Sequence, residues 1–233
     1  MQSKLVIFDI DGTLTRTNEA DEICFARSVR EEFGIENLST DWSDYEHSTD
    51  SGILLELIRR EKSKELSKPE IHKFQDTMKL HLEKHRAEKP DSFQPVQGAL
   101  KIFSQLKEKG LAIAIATGAW KKSAEYKLSQ AGIPVDGLPI ATADDHLSRD
   151  QIILLAESRA KEVYDQTQFE RLIYVGDGPW DFVSSKRLGI SFVGIHDHRT
   201  PERLTSLGAS RVVKDYADFG LFFDALMSSP LLK

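Results

Sequence analysis

The sequence predicts an α/β protein: a doubly wound parallel sheet with an all-helical segment inserted near its start. Two patterns in the 233 residues carry that prediction. Short unbroken apolar runs at 5–8, 111–116, 172–175, 191–195 and 211–213 read as strands buried on both faces, which suits a parallel sheet. Helically spaced segments separate the later runs, and strand–helix–strand repetition implies right-handed crossovers that cover both faces of the sheet.

The first run ends abruptly at Asp9. The spacing then predicts helices over 96–109, stopped by Gly110, and over 121–130, with Gly132 near its end. Further helices are expected over 150–163 and over 179–188, ended by Gly189, with a closing amphipathic helix over 217–227. Residues 18–93 break the alternation. They are charged, with helical patterns at 19–33, 52–62 and 68–89 and no strand signal. The expected domains are therefore a core of 1–17 and 94–233 and a helical insert of 18–93.

Composition narrows the function classes. Hydrophobic residues at 40% and charged residues at 29% are ordinary for a soluble globular chain. A net charge of -6 argues against nucleic acid as the main partner, since a phosphate backbone needs a concentrated basic face. The one cysteine, Cys24, excludes an intrachain disulfide and fits a reducing compartment. Residues 1–8 lack the pattern of a signal peptide, and no stretch approaches the roughly 18 apolar residues of a membrane span. The expectation is a cytoplasmic protein with no membrane partner; the sequence leaves its oligomeric state open.

Chemistry-bearing residues collect just after the strands, where open parallel sheets bind ligands. After the first run comes Asp9-Ile10-Asp11-Gly12-Thr13. Two carboxylates so close together at a buried strand end repel each other and cost desolvation, which a simple turn does not require. One can attack phosphorus and the other can exchange protons with the leaving oxygen and water. Gly12 lets the backbone approach an anion. After the second run, Thr117 and Gly118 offer a hydroxyl and an unobstructed amide to a phosphate oxygen, or simply a helix N-cap. Arg149 precedes the next helix, placed either to neutralise phosphate and keep Asp9 ionised or to lie on the surface beside a cap. After 172–175, Asp177 falls in a loop and Asp181 in the first turn of the helix opened by Pro179. Hard carboxylates beside a phosphate suit Mg²⁺; an acidic helix start complementing the dipole is the alternative.

In this order the motifs resemble the haloacid dehalogenase-like superfamily on its phosphatase branch, with a helical cap like that of phosphoglycolate phosphatases and β-phosphoglucomutases. The carrying residues are Asp9/Asp11-Gly12-Thr13, Thr117, Arg149 and Asp177/Asp181. The resemblance implies a Rossmann-like core, a cap at 18–93, and Mg²⁺-dependent hydrolysis of a small phosphorylated metabolite. It implies a phospho-aspartate on Asp9 with Asp11 as general acid and base. It also implies metal ligands from Asp9, Asp177 and the Asp11 carbonyl, with Asp181 orienting a water or ligand. The third motif is often Lys followed by Pro; here it is Arg149 followed by Asp150, with Lys161 a weaker substitute.

Other readings remain open at this level. A dehalogenase of the same fold would lack Asp11. A phosphonate hydrolase would need a cap lysine, and Lys62, Lys64 and Lys79 sit on charged faces. A sugar-phosphate mutase would keep every catalytic residue. A phosphate-responsive receiver module would leave the insert and the Asp-Gly-Thr tail unexplained. In the insert, Thr49, Asp50 or Ser51 can cap the helix starting near 52, or Thr49 and Asp50 can read the substrate, with Trp42 and Tyr45 walling the pocket. His81 and His85 are expected on a solvated face, His196 and His198 in a polar loop around Asp197. Cys24, Trp120 and Trp180 are expected in packing.

Overall fold

The side chains of Leu5, Val6, Ile7 and Phe8 leave no polar face, so this strand needs cover on both sides. The computed structural model, which describes residues 4–196 and 202–233, provides it. The strands are β1 (Lys4–Phe8), β2 (Ala112–Ala116), β3 (Ile140–Ala141), β4 (Arg171–Gly176), β5 (Ser191–Ile195) and β6 (Val212–Val213). They form one sheet in the order β3-β2-β1-β4-β5-β6, with every pair parallel. The chain builds outward from β1 to β3, then crosses to the other side of β1. The reversal lies between β1 and β4, the point at which open sheets of this kind bind ligands. Phe8 registers with both Ile115 and Val175, so the residues that follow β1, β2 and β4 emerge together at one edge.

Alternation along the strands divides the core into two layers. Val6, Phe8, Ile113, Ile115 and Val175 pack under α4 (Ala99–Glu108), α5 (Lys121–Gln130) and α9 (Phe219–Ser228). Leu5, Ile7, Ala114 and Tyr174 pack under α6 (Arg149–Val163), α7 (Pro179–Leu188) and the short α8 (Arg203–Ser206). A third apolar cluster joins α1 (Asn18–Phe33), α2 (Asp50–Lys62) and α3 (Lys68–Glu88), and Trp120 and Ala143 from beyond the insert complete it. Cys24 is buried there as packing.

The differences from expectation have local causes. Strand β3 was not expected, because two residues carry no periodicity. Helix α4 begins at Ala99 rather than near 96, since Val96 and Gln97 make extended backbone bonds to Leu14 and Tyr216 instead. His85 is buried against Phe93 rather than solvated, because α3 is enclosed by α1 and the 3-10 turn Pro90–Phe93. His81 pairs with Glu31 at 3.0 Å. Asp197 and His198 lie outside the described residues, and the His196 amide donates to the Val213 carbonyl. No described helix is long and apolar enough to cross a membrane.

Candidate active site

The loop after β1 is wound tightly on itself: the Ile10 carbonyl accepts from the amides of Thr13, Leu14 and Thr15. This turns Asp9 inward, 4% exposed, beside the end of β4. Gly12 has φ 70°, and a Cβ there would fall 1.9 Å from Asp177 Oδ2. Only glycine lets the two loops approach this closely. Asp177 Oδ2 accepts from Asn18 Nδ2 at 2.7 Å, which joins the first residue of α1 to the loop after β4.

Carboxylate oxygens of Asp9, Asp177 and Asp181 lie within 4.8 Å of one another, and all three residues are buried. Such a cluster is costly unless a cation compensates it. Arg149 supplies one: its Nη1 is 3.0 Å from Asp181 Oδ1 and 3.4 Å from Asp9 Oδ1. Burial pushes the Asp181 carboxyl up to about 7 against the pull of Arg149. Burial likewise raises Asp9, opposed by Arg149 and assisted by Asp11. Burial works against the charge of Arg149 too, but Asp181 and Asp9 outweigh it and its pKa is raised. Asp9 Oδ1 is buried and makes no hydrogen bond among the described residues; Arg149 approaches it as an ion pair at 3.4 Å. An oxygen in that state, within a group of hard carboxylates, fits a divalent cation such as magnesium.

Arg149 also donates to the Ser48 carbonyl at 3.0 Å and to the Tyr174 hydroxyl at 3.3 Å. A Cβ on Gly118 would lie 2.3 Å from Arg149 Nη2, so the guanidinium rests directly on that backbone. Thr117 is buried at the end of β2, its hydroxyl accepting from the Ala119 amide. Lys161 pairs with Glu157 in its own helix. Arg149, not Lys161, is therefore the cation that the fold brings to the carboxylates.

Asp11 is held differently. Thr17 Oγ1 donates to its Oδ1 at 2.5 Å and Lys127 Nζ to its Oδ2 at 2.6 Å. Sequence reasoning passed over Lys127. It lies in α5, remote from every motif, and only the burial of its whole side chain marks it out.

A cavity of about 300 Å³ opens over these residues. Its walls include Asp9, Asp11, Thr117, Gly118, Arg149 and Asp177 from the core, and Phe25, Trp42, Thr49 and Asp50 from the insert. Thr49 caps α2, accepting from the Gly52 amide at 3.1 Å, and also donates to the Leu147 carbonyl at 2.8 Å. Asp50 Oδ2 accepts from the Trp120 amide, and the Asp50 amide donates to the Gly118 carbonyl. The start of α2 is thus fastened to the loops that follow β2 and β3. Trp120 is buried as expected, but Trp180 is half-buried and lines the cavity. Tyr45 does not line it; it packs into the insert's apolar cluster.

The sheet order and the buried carboxylates at its switch point define an α/β protein of the doubly wound class with an acidic ligand crevice. The haloacid dehalogenase-like hydrolase family model matches residues 6–195, and the chain belongs to that family. No curated protein matches it. Solved structures share the fold at low identity. A hydrolase from Pseudomonas syringae is 21% identical with a TM-score of 0.70, covering 96% of this chain and 98% of its own. A variant of CbbY from Rhodobacter sphaeroides, in complex with xylulose-(1,5)bisphosphate, is 18% identical with a TM-score of 0.68, covering 94% and 97%. A HAD hydrolase, family IA, variant 3, from Entamoeba histolytica is 16% identical with a TM-score of 0.68, covering 98% and 100%.

Proposed function

We propose that this protein hydrolyses a small phosphate monoester through a phospho-aspartate on Asp9. The observation that carries this reading is the meeting of Asp9, Asp177 and Asp181 within 4.8 Å at the switch point, with a buried Asp9 oxygen that makes no hydrogen bond among the described residues. Asp9 attacks phosphorus as the bond to the leaving oxygen breaks, and Asp11 gives that oxygen its proton. Water then attacks the phosphoryl group, Asp11 takes its proton, and the bond to Asp9 breaks to release phosphate. Arg149, Thr117 and the Gly118 amide bind the phosphoryl oxygens, and Asp181 orients Arg149. The Gly12 amide, expected to join them, instead donates to the Thr15 carbonyl at 2.8 Å, and Gly12 serves the close approach of Asp177. Asp9, Asp177 and the Asp11 carbonyl would hold a magnesium ion, which neutralises charge on the transferring group.

In this reading residues 18–93 form a cap over a core of 1–17 and 94–233, and closure excludes water. Thr49 and Asp50 touch the part of the substrate beyond the phosphate. The wall carboxylates there are Asp21, Glu22, Asp41 and Asp50; Asp21 is paired with Lys127 at 2.6 Å, Asp41 with Arg203 at 2.7 Å, and burial holds Asp50 toward its protonated form. Beyond Arg149, no described wall cation is left for a second phosphate. Such a surface favours a leaving group that is neutral or cationic over one bearing a second phosphate. The test is phosphate release by purified protein from a panel of phosphate esters in magnesium. Monophosphates of neutral or amino alcohols should be turned over, and matched bisphosphates poorly. Release from none of the panel, or conversion of a sugar phosphate to its isomer without release, would overturn the reading.

A further inference from the structure

Lys127 lies in α5 with no exposed side-chain surface. Its Nζ is 2.6 Å from Asp11 Oδ2 and 2.6 Å from Asp21 Oδ1. The three residues come from three places: the loop after β1, the insert's first helix α1, and the core helix α5. Burial works against the ammonium, but Asp11, Asp21 and Asp50 outweigh it and its pKa is raised. An ion pair this deep adds little net stability, since well-packed apolar side chains often do as well or better. Its effect lies in geometry. Thr17 holds one Asp11 oxygen and Lys127 the other, so the carboxyl group cannot rotate freely.

We propose that Lys127 is a positioning residue for proton transfer by Asp11, fixing that carboxyl group and tying it through Asp21 to helix α1. The inference rests on the phosphatase reading. Proton transfer demands a donor within hydrogen-bond reach of the leaving oxygen, and a misplaced Asp11 fails most where the leaving group most needs a proton.

That dependence supplies the test. p-Nitrophenolate leaves readily without a proton, whereas phenolate does not. For Lys127→Met, kcat/KM on phenyl phosphate should fall by about a hundredfold or more, and on p-nitrophenyl phosphate by less than about tenfold. Asp21→Asn preserves shape and leaves Lys127 in place; it should show the same ordering with smaller losses. Equal losses on both esters, or none, in folded Lys127→Met would overturn the proposal while leaving the phosphatase reading intact. If Lys127→Met does not fold, Asp21→Asn decides: losses independent of the leaving group overturn the proposal. Wild-type protein inactive on both esters would bring down the phosphatase reading and this inference with it.

Discussion

Arg149 Nη1 lies 3.0 Å from Asp181 Oδ1, and the Asp181 side chain has no exposed surface. The same nitrogen reaches toward Asp9 at 3.4 Å, so one guanidinium links the start of α7 to the end of β1. Arg149→Met would leave both carboxylates buried and uncompensated. The expected loss is about 3–5 kcal/mol of stability in the metal-free protein. On the proposed phosphatase activity, kcat/KM should fall by about a hundredfold or more. Arg149→Lys keeps the charge but loses the fork that also reaches Ser48 and Tyr174, and should fall between. Denaturant midpoints check the first effect and phosphate release the second. An unchanged midpoint for Arg149→Met would mean that the pairing contributes nothing.

Asp9→Asn tests the nucleophile. Asparagine has the same shape, and the Asp9 amide bond to the Val175 carbonyl is untouched, so the fold should persist. A neutral amide cannot serve as the attacking group, and the rate should drop by about a thousandfold or more. Retention of more than about a tenth of the wild-type rate would rule out covalent chemistry at Asp9.

Metal removal makes a separate prediction. Activity should vanish in excess chelator and return with magnesium. Calcium should bind but support little turnover, because its longer and looser coordination misplaces nucleophile and phosphate. Gly12→Ala should weaken magnesium binding through Asp177, since the added Cβ would fall 1.9 Å from a carboxylate oxygen. Isothermal titration with magnesium reads this without turnover. Wild-type-like affinity in Gly12→Ala would remove Asp177 from the ligand set.

The carboxylate constellation was legible because its members sit within a few residues of strand ends, where sequence order translates directly into position. Asp9, Thr117 and Asp177 follow β1, β2 and β4, which the register aligns at one edge. Arg149 was ambiguous because a helix start is consistent with both a surface cap and a buried position beside the carboxylates; only the fold places its side chain at 3.4 Å from Asp9 and 3.0 Å from Asp181. Lys127 was illegible. A lysine within the charged segment 121–130 reads as solvated, and nothing local signals that Asp11 and Asp21 meet it from 116 and 106 residues away. The same holds for Thr49, whose N-cap role follows from its place before α2, while its bond to Leu147 spans 98 residues. Trp180 was assigned to packing because a tryptophan's apolar bulk suggests a core, yet it is one wall of the cavity.

Asp50 supplies the pH prediction. The residue is 6% exposed, and its carboxyl group accepts from the Trp120 amide at 2.9 Å. Burial raises its pKa well above 3.8; Asp21 adds to the effect and Lys127 opposes it. In the unfolded chain Asp50 ionises near the ordinary carboxylate value, while in the folded protein it keeps its proton to higher pH. Between those two values the native state binds more protons, so stability must fall as pH rises. The contribution is fully present below 3.8 and is lost as pH climbs through the raised folded value. Asp50→Asn removes the titration but keeps an oxygen to accept from Trp120. The variant should therefore gain on the wild type steadily from about pH 4 upward, and be the more stable of the two under mildly alkaline conditions. Thermal midpoints of both proteins, measured across that range in metal-free buffer, give the comparison. Parallel curves would mean that Asp50 stays ionised in the fold, with Lys127 compensating it after all.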